Sequence, residues 1–295
     1  MPELDLFTDL NRTRETTRKM FAALPPDEEP PATVETVPAG KDRPAVAVRI
    51  SRPPQQEGSL PGVLHIHGGG YVLGFAAMDD PTCRRIAREA NCVVVSVDYR
   101  LAPEHPYPAA LEDCYAALEW MAANAGSLGI DPQRLAVAGA SAGGGLTVAT
   151  ALLARDRGGP ALQFMAPLCP MLDNTNTTPS SYEITDRRFW YREVNEKAWQ
   201  LYLGTAQDPL PPYAVPARAE DLSGLPAAFT SVGGLDLFRD ETITFVSRLA
   251  QAKVPVEFHL YPGCFHGFEN FLPACNISKK ANSDFLSALR QALHG

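Results

Sequence analysis

The residues best suited to chemistry lie in Gly139-Ala140-Ser141-Ala142-Gly143, a serine with glycine two positions away on either side. Before it, the apolar run Leu135 to Ala138 reads as a buried strand. After it, Leu146, Val148, Ala149, Leu152 and Leu153 suit a helix packed on one face. A chain that reverses this sharply from strand to helix needs neighbours without bulk, which glycine supplies. A serine on such a turn exposes its Oγ above a helix N-terminus, whose free N–H groups favour developing negative charge. The spacing is that of a nucleophile elbow.

A serine hydroxyl becomes a useful nucleophile when a base takes its proton. Six histidines compete for that role. His65 lies within a strand, and His67 opens a glycine loop, where it orients rather than transfers protons. His105 sits in the turn Ala102-Pro103-Glu104-His105-Pro106, His294 in the C-terminal tail, and His259 in the alternating strand Val256-Glu257-Phe258-His259-Leu260. His266 follows that strand in Tyr261-Pro262-Gly263-Cys264-Phe265-His266-Gly267-Phe268, with Gly267 leaving room beside its ring. Sheets of parallel strands gather their sites at the carboxyl ends of those strands, so His266 is the expected general base.

The acid that orients it is expected to be Asp236, in the loop after a strand at 227–232 and the pair Gly233-Gly234. Asp240 and Glu241 fall in the first turn of the next helix, where acids offset the helix dipole. Asp98, at the end of the strand at 93–97, is a rival that precedes the serine. The stretch Leu64-His65-Ile66-His67-Gly68-Gly69-Gly70-Tyr71 ends a strand in three glycines. Amides of Gly69 and Gly70, with that of Ala142, would hold an oxyanion, each donor stabilising a transition state by about 3 kcal/mol. Cys264 reads as a packing residue whose oxidation or alkylation could displace the histidine loop.

The elements that must position these groups follow from the pattern along the chain. Residues 3–24 read as an amphipathic helix lying over the protein, and Pro25-Pro26-Asp27-Glu28-Glu29-Pro30-Pro31 breaks any regular element. Two short strands are expected at 32–38 and 45–51, joined by Gly40-Lys41-Asp42. Strands at 63–66, 93–97, 135–138, 162–168, 227–232 and 256–260 then alternate with helices. Those helices are expected at 80–90, 108–124, after Ser141, at 239–252 and at 278–293. The alternation predicts an α/β fold, a mainly parallel sheet with helices on both faces. Between Leu168 and Leu225 the rhythm fails, and a polar, aromatic and finally proline-rich stretch reads as an insertion, mostly helical, outside the sheet. Its aromatics are expected to pack rather than to contact ligand.

The 295 residues suffice for one large α/β domain or two small ones, with 45% hydrophobic and 20% charged residues as in an ordinary globular protein. A formal net charge of −8 and the lack of any Lys/Arg-rich run argue against a nucleic-acid surface. The six cysteines include no C-x-x-C pair, so neither a zinc site nor a disulfide framework is expected. No apolar signal core opens the chain and no run of about eighteen apolar residues occurs, so no transmembrane segment is expected. The expected setting is the reducing cytoplasm, with free thiols.

Four motifs, taken together, resemble the hormone-sensitive-lipase-like esterases, which include bacterial carboxylesterases. They are His67-Gly68-Gly69-Gly70, Asp98-Tyr99-Arg100-Leu101-Ala102-Pro103-Glu104, Gly139-Ala140-Ser141-Ala142-Gly143-Gly144 and Phe265-His266-Gly267-Phe268. The resemblance runs from about residue 60 to the C-terminus. It implies an α/β-hydrolase core (41–168 and 217–295) under a helical cap, formed by an N-terminal segment (1–40) and an insertion (169–216). It also implies a serine carboxylesterase that cleaves small esters of short acyl chains through an acyl-enzyme, without metal or cofactor. Carried over by position, Ser141, Asp236 and His266 form the triad, and Gly69, Gly70 and Ala142 the oxyanion hole. Members of the family often dimerise through the edge of the last strand. Ala140, Gly145 and the sequence Asp236-Leu237-Phe238-Arg239-Asp240 depart from the commoner family residues and leave every catalytic group in place. The alternatives are a ligand-binding relative without catalysis, which the presence of His266 disfavours, and amide or lactone hydrolysis. A neutral His266 is needed for turnover, so activity is expected to fall in acid, with an apparent pKa of about 6 to 7.

Overall fold

The apolar runs assemble into one eight-stranded sheet. The computed structural model describes residues 6–23, 31–41 and 43–295. In chain order the strands are β1 (Thr33–Val37), β2 (Val46–Ser51), β3 (Leu60–Ile66), β4 (Val93–Val97), β5 (Ile130–Ala140), β6 (Phe164–Leu168), β7 (Ala227–Leu235) and β8 (Val256–Phe265). Their spatial order is β1-β2-β4-β3-β5-β6-β7-β8. β2 runs antiparallel to both β1 and β4, and every other neighbouring pair is parallel. β3 and β4 are buried along their whole length, which is why His65 and Ser96 are their only polar side chains. β1, at one margin, buries only Val37.

The described helices are α1 (Leu10–Ala22), α2 (Asp80–Glu89), α3 (Ala109–Ala123), α4 (Ala125–Leu128), α5 (Ala142–Arg157), α6 (Pro179–Glu183), α7 (Arg192–Leu203), α8 (Arg239–Gln251), α9 (Phe268–Phe271) and α10 (Asn276–His294). Helices α3, α5, α7 and α8 bring Leu118, Leu152, Trp199 and Phe245 into a core with Leu64, Val95 and Val137. On the opposite face, Ile86 of α2 and Phe285 and Leu289 of α10 cover Val63, Val94 and Ala166. Each such side chain stabilises the fold by about 1.5–3 kcal/mol when taken from water. The sheet is thus clamped on both faces, and its strand ends are held rigidly.

Several boundaries differ from the sequence reading. α1 starts at Leu10 because the Asp9 side chain caps it, accepting from the Arg12 amide at 2.9 Å. Residues 3–5, Leu24 and 25–30 lie outside the described residues, as does Asp42 of the expected turn. The insertion is not mostly helical. Only α6, α7 and a 3-10 turn at Pro216–Arg218 are helical there. Pro209, Pro211 and Pro212 withhold amides, and Asp173 diverts the Thr175 amide to its own side chain at 2.9 Å.

The most consequential difference is β8, which continues to Phe265 rather than ending near Leu260. Its pairing with β7 reaches Gly233↔Tyr261, passes an irregularity, and resumes at Leu235↔Phe265. The interruption is bulge-like, unequal numbers of residues on the two strands being absorbed between resumed pairs.

Candidate active site

β3, β5, β6, β7 and β8 end at one edge of the sheet, and the next residues along the chain are His67, Ser141, Cys169, Asp236 and His266. Register carries them to a common level, with Ile66 opposite Gly139, Ala140 opposite Leu168 and Leu235 opposite Phe265. Groups 30 and 125 residues apart therefore meet. His266 Nδ1 lies 2.8 Å from Asp236 Oδ2, and His266 Nε2 lies 3.0 Å from Ser141 Oγ. With Asp236 ionised, Nδ1–H donates to the carboxylate and Nε2 accepts from the serine hydroxyl.

The serine holds a backbone conformation that residues other than glycine rarely adopt, with φ +58° and ψ −121°. Such a conformation costs about 1–3 kcal/mol and persists only where the surroundings impose it. Here the Ser141 amide donates to the Leu168 carbonyl at 2.9 Å, and its carbonyl accepts from the Met171 amide at 3.0 Å. A Cβ on Gly143 would stand 2.0 Å from the Ile66 carbonyl oxygen, so this turn requires glycine. Ala142 opens α5, and its amide is one of the N-terminal donors that no intrahelical carbonyl can reach.

The loop after β3 is shaped by Gly69 and Gly70, with φ of +118° and +58°. The His67 ring stacks on Tyr99 with centroids 4.1 Å apart, and its Nδ1 donates to the Gly68 carbonyl at 2.8 Å. Burial lowers the His67 pKa, so this ring is neutral and structural. Asp98 accepts from the Ala76 amide at 2.9 Å, which makes it an anchor of the same loop rather than a partner of the histidine. Trp199 and Tyr202 pack in the core around Tyr71, and Trp190 belongs to the same core, lying so close over Gly70 that a Cβ there would approach its ring to 2.3 Å.

Asp236 is only 1% exposed. Its Oδ1 accepts from the Phe238 amide at 2.9 Å, leaving Oδ2 for the histidine. Burial alone lowers the His266 pKa, but the Asp236 carboxylate, aided by Cys169, outweighs it and raises the value well above that of an ordinary histidine. That upward shift replaces the expectation of about 6 to 7. The remaining histidines stand elsewhere. His65 pairs with Asp79 at 2.8 Å, His259 with Glu257 at 2.7 Å, His294 donates to the Ala90 carbonyl, and His105 is exposed.

Two nearby residues escaped the sequence reading. Glu241, expected only to offset the α8 dipole, is buried and accepts from the Leu172 amide at 2.7 Å. Burial pushes its pKa well above the usual carboxylate range. Cys169 is the second, with its Sγ, a ring nitrogen of His266 and a carboxylate oxygen of Asp236 all within 4.8 Å of one another. Its position directly after β6, matching that of Ser141 after β5, was the available signal. Cys264, singled out instead, points its Sγ at the Pro262 carbonyl, 3.7 Å away.

Comparison with known proteins agrees with this architecture. Residues 63–270 match the family model described as the alpha/beta hydrolase fold. The chain is 41% identical over 275 residues to "Carboxylesterase NlhH" of Mycobacterium tuberculosis, covering 92% of this chain and 86% of that protein. It is 34% identical over 233 residues to "Ethyl acetate hydrolase" of Pseudomonas putida, covering 77% of this chain and 73% of the relative. Among solved structures, "Bacterial Heroin Esterase" superposes with a TM-score of 0.94 at 39% identity, covering 100% of this chain and 95% of the other. Among the described residues no helix is long and apolar enough to cross a membrane. The chain belongs to the α/β-hydrolase-fold family, in its hormone-sensitive-lipase-like branch of serine carboxylic ester hydrolases.

Proposed function

We propose that Ser141, His266 and Asp236 carry the hydrolysis of small carboxylic esters of short acyl chain. The observation that supports this most directly is the unbroken row Asp236–His266–Ser141, with separations of 2.8 and 3.0 Å. Asp236 holds the imidazole with its proton on Nδ1, so Nε2 accepts the Ser141 proton as Oγ attacks the ester carbonyl. The carbonyl oxygen gains charge beside the amides of Gly69, Gly70 and Ala142. His266 returns the proton to the departing alcohol. Water then enters, His266 takes its proton, and the acyl-enzyme is hydrolysed by the same steps in reverse.

The described part of the N-terminal segment (1–40) and the insertion (169–216) act as the cap over this site. Arg14 of α1 donates to the carbonyls of Val72, at 2.9 Å, and Ala102, at 2.6 Å, beside the glycine loop. Trp190 lies against Gly70 so closely that a Cβ there would meet its ring, which favours small acyl groups beside this loop. The ethyl acetate hydrolase among the relatives points the same way, to short acyl groups. The unpaired cysteines suit a cytoplasmic setting, and β8, at the sheet margin, offers an edge for a homodimer. Sedimentation of the purified chain measures the latter. The catalytic reading is tested by rapid mixing with nitrophenyl esters from acetate upwards. A burst of one nitrophenol per chain and a rate that declines as the acyl chain lengthens are expected. Turnover that survives Ser141→Ala would refute it.

A further inference from the structure

Cys169 stands beside the triad without a part in the hydrolysis described above. Its backbone is firmly set, with φ +34° and its amide donating to the Ser231 carbonyl at 2.7 Å, so the thiol has little freedom to leave. Sulfur, imidazole nitrogen and carboxylate oxygen converge there from the ends of β6, β8 and β7, their ligand atoms within 4.8 Å of one another. We propose that Cys169, His266 and Asp236 form a coordination site for a soft or borderline divalent cation such as Zn2+ or Cd2+, and that an ion bound there switches hydrolysis off. The inference rests on His266 being the general base.

The donor set favours this class of ion. Thiolate and imidazole select zinc-like metals over Mg2+ and Ca2+, and a carboxylate completes a three-ligand site with a fourth position for water or Ser141 Oγ. Metal–ligand bonds of about 2.0–2.3 Å place tetrahedral donors about 3.5 Å apart. The trio therefore needs side-chain adjustment, not movement of the sheet. A cysteine ligates such an ion as the thiolate, so the Cys169 thiol must give up its proton. On binding, its S–H bond breaks, the proton passes to solvent, and the sulfur electron pair goes to the metal, with no change of oxidation state.

Either mode of imidazole coordination stops catalysis. Through Nε2, the ion takes the lone pair that would accept the Ser141 proton. Through Nδ1, it displaces the ring proton to Nε2, which then faces the serine as a donor. The spacing of the cysteines pointed away from any zinc site because these ligands come from three different strands and share no local motif.

The test is to titrate the purified chain with CdCl2 alone, following the thiolate-to-cadmium absorption band and ester hydrolysis on the same sample. One band equivalent per chain, loss of hydrolysis at the same midpoint and recovery with EDTA are expected, while Mg2+ and Ca2+ do neither. Cys169→Ser should abolish the band and move the inhibition midpoint upward at least about tenfold, measured against that variant's own metal-free rate. Cys275→Ser, which removes the exposed cysteine, should keep both responses. Ser141→Ala, without turnover, should still give the band, so binding is read independently of activity. A band that persists in Cys169→Ser, or none in the unaltered chain, overturns the site. A stoichiometric band that vanishes in Cys169→Ser while metal leaves hydrolysis untouched would instead overturn His266 as the base.

Discussion

The strand ends that hold the Asp236–His266–Ser141 row and the helix proposed to cover them, α1, are built on different principles. Ser141, Asp236 and His266 each follow directly on a strand whose neighbours lock its register, within a sheet clamped between two apolar layers. α1 buries none of its residues. It is attached through Arg14, through Arg18 stacked 4.8 Å over the Phe75 ring, and through an edge contact of Phe21 with the same ring. The first region is held by burial and a hydrogen-bonded ladder, the second by a few half-exposed polar and aromatic contacts. Chemistry that needs reacting atoms within a fraction of an ångström sits where displacement is costly. The proposed cover sits where detachment is cheap.

Substitutions in the two regions should therefore differ in kind. The largest effect is expected for Ser141→Ala, a loss of about four to six orders of magnitude in kcat with the unfolding transition unchanged. Combining it with His266→Ala should add almost nothing, since the two act as one unit. Comparable single-variant losses that multiplied in the double variant would show the row is not a unit. Asp236→Asn comes next, with kcat falling by about 10⁴ because the imidazole loses its preferred tautomer.

The pH profile sharpens the contrast. Asp236 raises the His266 pKa above the ordinary histidine value, so the inactive protonated form persists to higher pH. Activity should accordingly climb through neutrality and level off only in mildly alkaline solution. A profile already flat above about pH 6 would contradict that sign. Residual activity in Asp236→Asn should lose its acid limb at lower pH, as the raising charge is gone.

Glu241→Gln tests the layer between the regions. Replacing the carboxyl by an amide keeps an acceptor for the Leu172 amide, so a cost of about 1–3 kcal/mol is expected only if the second oxygen also matters. Denaturant unfolding measures it. The smallest effect is expected for Arg14→Ala, on the cover. Its side chain is 17% exposed, and its guanidinium bridges to Glu104 as well as to the two carbonyls. We expect a change in KM of about threefold, kcat nearly unchanged, and less than about 1 kcal/mol in stability. A collapse of kcat would show instead that α1 holds the glycine loop in its working shape.

Much of this was legible without coordinates, and the reason lies in how information is stored along a chain. Turn residues, apolar periodicity and glycine spacing are local, so Gly139 to Gly143, the His67–Gly70 loop, the alternation of strands with helices and the candidacy of Asp236 and His266 all followed from residue order. Proline spacing likewise marked the insertion, although its aromatic content suggested more helix than Pro209, Pro211 and Pro212 allow. Tertiary structure alone decided the length of β8 and its irregular pairing with β7, which bring His266 level with Asp236. It also decided that Cys169, not Cys264, meets the imidazole, that Glu241 turns inward, and that a carboxylate lifts the histidine pKa against burial. Each of these depends on which strand lies beside which and in what register, and a separation through space between residues 30 or 125 positions apart is encoded in no single stretch of sequence.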